Sequence, residues 1–181
     1  KNENIKLNKA VPLKAMGRFR HEAVAIDPDS SIAYQTEDRD DGLIYRFIPN
    51  VKAKYWKGGS LQALMIKKND SNDTRNWSEQ NFIKNKLYDI DWMNLDNVDN
   101  PKDDMRHRAA EKGAAIFARP EGMWYDDNFV YFTCTSGGKK KLGQIWKINI
   151  YSFDPVALKN CTYNSVIICD EVKDRFISLV Q

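Results

Sequence analysis

The chain is poor in the residues that build covalent and zinc-based frameworks. Its three cysteines, Cys134, Cys161 and Cys169, are odd in number and form no Cys-x-x-Cys pair, so a disulfide scaffold is not expected. Its two histidines, His21 and His107, leave little room for a histidine-rich zinc site. The chain also contains no nucleophile elbow, Walker loop or dinucleotide fingerprint, so the enzyme classes that these motifs mark have no support here.

Charge of one sign and long apolar runs are also scarce. The formal net charge is only +3, and no stripe of lysine and arginine with interleaved aromatic residues is present, which argues against nucleic acid as a partner. No apolar run approaches the length of a membrane span. The first residues form no signal peptide and lack an initiator methionine, which suggests a processed or truncated product. A hydrophobic content of 42% nevertheless predicts a folded domain.

What the chain does contain is a repeated piece of β-structure. Its alternating apolar segments are separated by turn residues, as in antiparallel hairpins. The segments of the first copy are 22–27, 32–38 and 42–48, those of the second are 121–126, 129–135 and 143–148, and those of a partial third are 166–171 and 175–180. With a further strand at 61–66, the first copy has four strands in about 45 residues, which is the size of one propeller blade.

The repeats predict an all-β chain that is part of an antiparallel β-propeller with four-stranded blades and a short helical insertion. The expected divisions are a blade at about 17–67, an insertion at about 68–116, a blade at about 117–155 and a partial blade at about 165–181. Propellers need about four or more blades to close a ring. The chain is therefore expected to require the rest of a larger propeller as its partner.

The insertion contains residues that mark the start and the end of a helix. Pro101 near the start and Gly113 at the end predict a helix at about 101–112, with Asp103 and Asp104 in its first turn. The segment 89–94 alternates well enough to form a strand.

Acidic residues recur at matched points of the copies. Glu22 and Glu121 begin equivalent strands, Glu37 and Asp38 end the second strand of the first copy, and Glu171 lies at the corresponding point of the partial copy. Carboxylates that converge without a cation repel one another and raise one another's pKa. Two interpretations follow from the residues alone: ordinary exposed acids at strand ends, or ligands of a hard cation such as Ca²⁺, Mg²⁺ or oxidised iron in a central channel.

Several unusual short sequence motifs also appear in a characteristic order. They are 17–27 (GRFRHEAVAID), 34–39 (YQTEDR), 43–47 (LIYRF), 113–125 (GAAIFARPEGMWY), 131–138 (YFTCTSGG) and 143–147 (GQIWK). In this order they resemble the PhoX-type alkaline phosphatases, over roughly residues 17–150. The resemblance implies a secreted or periplasmic β-propeller phosphomonoesterase that acts on small-molecule phosphate esters, with calcium and iron in a carboxylate-rich channel.

The resemblance also implies roles for single residues. The metal ligands it implies are Glu22, Glu37, Asp38, Glu121 and Glu171. Glu22 and Glu121 are the two expected to act in catalysis. Arg39 and Arg119 are expected to bind the substrate, with Arg20 as an alternative for this role. The family's upstream cysteine motif, which supplies a thiolate to the irons, has no counterpart in residues 1–16.

Two other functions stay open at this point. One is a non-catalytic calcium-binding propeller that serves as a surface or interaction protein. The other is a calcium-dependent hydrolase of another substrate, such as a sugar phosphate or a lactone, because a fold does not fix its reaction.

Overall fold

The computed structural model describes residues 10–67, 70–150 and the strand at 165–171. Antiparallel strands dominate this part of the chain. They are β1 (His21–Ile26), β2 (Ala33–Glu37), β3 (Ile44–Pro49), β4 (Gly59–Ile66), β5 (Leu87–Asn94), β6 (Pro120–Asp126), β7 (Phe129–Cys134), β8 (Gln144–Asn149) and β9 (Ser165–Glu171). One α-helix, α1 (Met105–Glu111), and two 3-10 helices, Lys14–Met16 and Tyr55–Lys57, complete the described elements.

The strands form one sheet in the order β1-β2-β3-β4-β5-β9-β8-β7-β6. Strands β1 to β4 are one antiparallel meander, and β6 to β9 are a second. Strand β5 joins the two, because its second half pairs with β4 and its first half with β9. The first strands of the two meanders, β1 and β6, lie against each other. The prediction of an all-β, propeller-like chain with four-stranded antiparallel units is confirmed.

The partial third copy has a different place from the one its sequence suggested. Strand β9 pairs with β8 and so supplies the fourth strand of the second meander. Residues 175–180 lie outside the described residues. The predicted strand at 89–94 is present as β5, so the insertion contributes to the sheet. The division of the chain into blades and an insertion stays a prediction.

The helix is shorter than predicted at its start. Helix α1 begins at Met105, not near Pro101, and Asp103 precedes it with a φ of +55°, which does not fit a right-handed helical turn. The side chain of Asn100, which is 3% exposed, accepts hydrogen bonds from the backbone N–H groups of Asp104 and Met105 at 2.9 and 3.0 Å. The N-cap residue, Asp104, makes no capping bond with its own side chain, so Asn100 caps the helix start from four residues upstream, where the sequence suggested a proline start. The helix ends before Gly113, as predicted.

Apolar side chains cover both faces of the first meander. Tyr34 belongs to a core cluster that continues through Phe117, just before β6, to Phe132 and Trp146 of the second meander. Its neighbour Ala33 belongs to a second cluster, which contains two residues of α1. Every residue of β2 is therefore buried. Packing on both faces of β2 fixes the position of its C-terminal end, next to which the candidate site lies.

The cap of α1 yields a test of this packing. Asn100→Ala removes acceptors from two helical N–H groups and also the donor to the backbone oxygen of Arg18, so we expect a loss of about 1–3 kcal/mol in the free energy of unfolding. Urea denaturation measures this loss. The matched control is Asn50→Ala, since Asn50 is exposed and its side chain donates to the backbone oxygen of Lys57. Equal losses for the two variants would contradict the assignment of Asn100 as the cap.

Candidate functional site

Strand β1 is interrupted by a bulge at its first acidic residue. The register of β1 with β2 shifts between His21 and Val24. Glu22 and Ala23 lie within this shift and together oppose Thr36. A bulge turns side chains out of the ordinary alternation of a strand, and bulges are frequent beside active sites. The side chain of Glu22 is exposed.

Strand β6 carries a bulge at the equivalent place. Its register with β7 shifts between Pro120 and Met123, so that Glu121 and Gly122 lie within the shift. Glu121 is partly buried. The two acids that the sequence aligned by their position in the repeat thus share the same backbone irregularity, which their spacing alone did not predict.

A single threonine connects the two bulges. Thr36 is fully buried, and its hydroxyl accepts a hydrogen bond from the N–H of Ala23 at 2.9 Å. The same hydroxyl donates to the backbone oxygen of Glu121 at 2.7 Å. In the second meander Thr133 takes the equivalent position, with its hydroxyl 3.5 Å from the backbone oxygen of Gly122. Thr36 therefore fixes the backbone of one bulge against that of the other.

The sequence analysis did not identify Thr36 as a site residue, although its position in the repeat indicates it. Thr36 and Thr133 are separated by the same interval as Ile32 and Phe129, the residues that aligned the two copies. A threonine one residue before the end of the second strand is thus repeated in both copies. Its role in joining the bulges depends on the pairing between strands, which the sequence does not show.

The carboxylate of Glu121 has two partners. Thr135 donates a hydrogen bond to it at 2.7 Å, and the guanidinium of Arg119 lies 2.7 Å from the same oxygen. Arg119 also donates to both oxygens of Asp38, at 3.0 and 3.4 Å. The hydrogen bonds to Asp38 and the charges of both carboxylates raise the pKa of Arg119. Arg119 thereby brings together Asp38 and Glu121, two of the predicted ligands.

The backbone of Arg119 is itself unusual. Its φ of +53° lies in the left-handed region, which residues other than glycine seldom occupy. Such conformations cost about 1–3 kcal/mol and cluster at functional sites. Here the conformation occurs two residues before Glu121, directly before β6 begins at Pro120.

Glu37 lies apart from this group. It is 1% exposed, and its carboxylate accepts hydrogen bonds from the hydroxyl of Tyr45 at 2.7 Å and the N–H of Leu43 at 3.4 Å. Burial raises the pKa of Glu37 to about 7. Glu37 and Asp38 are neighbours in the chain but contact different partners. The structure describes no side chain for Glu171.

Arg39 lines a small cavity of about 330 Å³ together with two other arginines, Arg18 and Arg20. Asp103 is the acidic residue on its wall, and it pairs with Arg39 at 2.8 Å. The Nε of Arg39 is buried without a hydrogen-bond partner. The cavity is therefore rich in guanidinium groups, which suit phosphate oxygens.

The candidate ligands suit a hard metal in kind but not in number. Carboxylate oxygens such as those of Glu22 and Glu121 are the donors that calcium prefers, but calcium takes about six to eight oxygen ligands. Within residues 10–67 and 70–150, no group of three or more acidic, histidine or cysteine side chains is arranged to hold a metal ion. A metal at the bulges would need further donors, and the roles of the predicted ligands stay predictions.

The fold is that of a propeller-like chain, and two of its matched β-bulges each contain a glutamate that could donate oxygen ligands. Residues 3–175 match the family model described as alkaline phosphatase PhoX. The chain therefore belongs to the PhoX alkaline phosphatase family.

A solved structure, Pseudomonas fluorescens PhoX in complex with vanadate, a transition state analogue, is similar to this chain with a TM-score of 0.53 and 22% identity. The match covers 75% of this chain and 29% of that one, so the chain spans under a third of that relative. At this identity the likeness concerns the fold. No curated protein matches the chain. Among the described residues, no helix is long and apolar enough to cross a membrane.

The buried Glu37 predicts a pH-dependent stability. Burial raises its pKa from 4.5 to about 7 on folding, so the folded state prefers the neutral carboxyl. The stabilisation is complete below the unfolded pKa and is lost as the pH rises through about 7. Glu37→Gln removes this titration, so the drop in unfolding free energy between about pH 5 and pH 8 should shrink by on the order of 2 kcal/mol. Urea denaturation at both pH values measures it, with the exposed Glu79→Gln as control.

The threonine link predicts a loss that a similar threonine elsewhere should not cause. Thr36→Val keeps the shape but leaves the N–H of Ala23 and the backbone oxygen of Glu121 without their shared partner, so the bulges should lose their fixed relation. We expect at least a tenfold weaker retention of metal by the purified protein, measured by dialysis against a chelator. Thr36→Ser should restore most of it.

Thr74→Val is the matched control for this substitution. Thr74 is also fully buried and donates to a backbone oxygen, that of Ile116, at 2.7 Å. Its loss should destabilise the fold without a specific loss of metal. Equal metal loss in the Thr74 and Thr36 variants would show that Thr36 has no special part in the site.

Proposed function

We propose that this chain forms part of a metal-dependent phosphomonoesterase, an alkaline phosphatase of the PhoX type that releases phosphate from small-molecule phosphate esters. The observation that carries the proposal is the placement of Glu22 and Glu121 in matched bulges of adjoining strands, tied by one hydroxyl, in a chain of this family. The vanadate in the similar structure, a transition state analogue by its description, supports the substrate class. The family resemblance also supports action in the periplasm or outside the cell.

Glu22 and Glu121 would hold calcium and iron in this proposal, together with donors beyond those described. Such ions, when bound, stabilise negative charge on a transferring phosphoryl group and lower the pKa of bound water. Glu22 is exposed and so presents its oxygens openly, whereas Glu121 is held in one orientation by Thr135 and Arg119. Asp38 is the third carboxylate of the group, fixed by the same Arg119.

The arginines have two different roles in this proposal. Arg119 is engaged by two carboxylates, so it positions these acids and its charge is largely balanced. Arg39 retains an unpaired Nε and lies in a cavity with Arg18 and Arg20, so these groups bind and orient the phosphate oxygens. The positive charge there also draws an anionic substrate toward the site.

The carboxylates give the direct test of this function. Glu22→Gln and Glu121→Gln keep the shape of each side chain but remove a full negative charge, so each should lower both bound metal and kcat for p-nitrophenyl phosphate by about 100-fold or more. Elemental analysis by mass spectrometry and steady-state kinetics on the full protein measure the two effects. Glu79→Gln, on the exposed loop, is the control.

The outcomes separate the candidate functions. Unchanged metal content and rate in both site variants would overturn the assignment. Calcium binding that depends on these residues, in a protein that hydrolyses no phosphate ester, would favour the non-catalytic calcium-binding propeller instead.

A further inference from the structure

A large cavity lies beside the bulge of β1, outside the acidic group described so far. Its volume is about 630 Å³, which falls within the range of roughly 300–1,000 Å³ that small-molecule sites occupy. Glu22 and Ala23 of the bulge form part of its wall. The cavity therefore shares a residue with the candidate catalytic site.

The opposite wall is mainly apolar. It comes from Pro12, Leu13 and Met16 around the first 3-10 helix, and from Phe19. The ring of Phe19 is stacked between those of His21 and Tyr45, with centroid distances of 3.6 and 4.3 Å. Both faces of the Phe19 ring are covered by these neighbours, which hold it in place, so the wall presents the apolar edge of a fixed aromatic ring.

One polar group in the cavity wall lacks a partner. Gln35 lines the cavity and is 2% exposed, yet its amide nitrogen makes no hydrogen bond. A buried donor without a partner costs about 1–3 kcal/mol, so such a group is expected to serve a purpose. The last torsion of a glutamine rotates broadly, and a modest rotation presents this amide to a ligand.

The charges on the wall decide which part of a ligand fits. The wall carries two acidic residues, Glu22 and Asp99, and two basic ones, Lys14 and Arg18. Lys14 pairs with Asp99 at 3.3 Å, so the wall has no net positive charge to hold an anion. Arg18 and Phe19 line the neighbouring cavity as well, and the guanidinium groups of Arg20 and Arg39 line that cavity alone. An anionic phosphate is thus favoured outside this cavity, and an uncharged apolar group inside it.

We infer that the cavity bounded by Leu13, Phe19 and Gln35 binds the organic group of the phosphate ester, and that this group is an apolar alcohol residue with a hydrogen-bond acceptor. The inference rests on the proposed function and adds a substrate class to it. The phosphate lies toward the guanidinium groups of Arg20 and Arg39, the apolar body packs against Phe19, and the amide of Gln35 donates to the acceptor. The protein should accordingly prefer esters of apolar alcohols to esters of small polar ones.

The first arm of the test measures binding without chemistry. Isothermal titration calorimetry of the full protein with 2-naphthol, a free apolar alcohol, should show one saturable site. Leu13→Asp places a carboxylate on the apolar wall and should weaken this binding at least tenfold. Gln35→Met keeps the length of the side chain but removes the donor, and should weaken it about fivefold. The control is Val11→Asp, since Val11 is exposed two residues earlier and does not line the cavity.

The second arm measures substrate preference. The KM for 2-naphthyl phosphate relative to the KM for glycerol 2-phosphate should rise at least fivefold in Leu13→Asp and stay within twofold in Val11→Asp. A purely structural effect of Leu13→Asp would change both KM values together and leave their ratio as it was, which would overturn the inference.

The two proposals fail in distinguishable ways. Binding of 2-naphthol that the cavity variants weaken, in a protein that hydrolyses no ester, would support the cavity as a binding site and overturn the phosphatase function. Hydrolysis of both esters with no binding of 2-naphthol, or with binding insensitive to Leu13→Asp and Gln35→Met, would overturn the cavity inference and leave the function standing.

Discussion

The hydroxyl of Thr36 is the contact on which the arrangement of the site depends. Through it a side chain of the first meander reaches the backbone of the second, between the two bulges. Because the hydroxyl both accepts and donates, neither bulge can shift without losing a bond that is buried from water. The position of Glu121 relative to Glu22 is therefore set by hydrogen bonding within the sheet, and not by the flexible loops that connect strands.

The charges of the site are arranged around Arg119. Asp38 and Glu121 would repel each other at short range, and the guanidinium between them offsets this repulsion at the surface of the protein. The arginine reaches both acids from a left-handed backbone conformation, so part of the cost of the arrangement is carried by the chain itself. Glu37 differs from these acids, since it is buried from water and accepts a hydrogen bond from the hydroxyl of Tyr45.

The sequence predicted the strands well because alternation and turn residues are local signals, and the repeat reinforced them. The start of α1 was mispredicted because Asn100 caps the helix through its side chain, whereas Pro101 offered the more familiar signal. The equivalent positions of Glu22 and Glu121 were matched correctly, but the bulges at these residues depend on pairing between strands and leave no local trace. For the same reason the sequence could not show that Glu37 faces a core.

Strand β5 has a consequence for how the protein comes apart. Its residues Leu87–Asp89 pair with β9 and its residues Ile90–Asn94 with β4, so one strand is shared between two meanders. Release of either meander exposes backbone groups of the other along this strand, which makes separate melting of the two unfavourable. The sheet should behave as one cooperative folding unit, in which the backbone amides of β5 exchange with solvent only when both halves open.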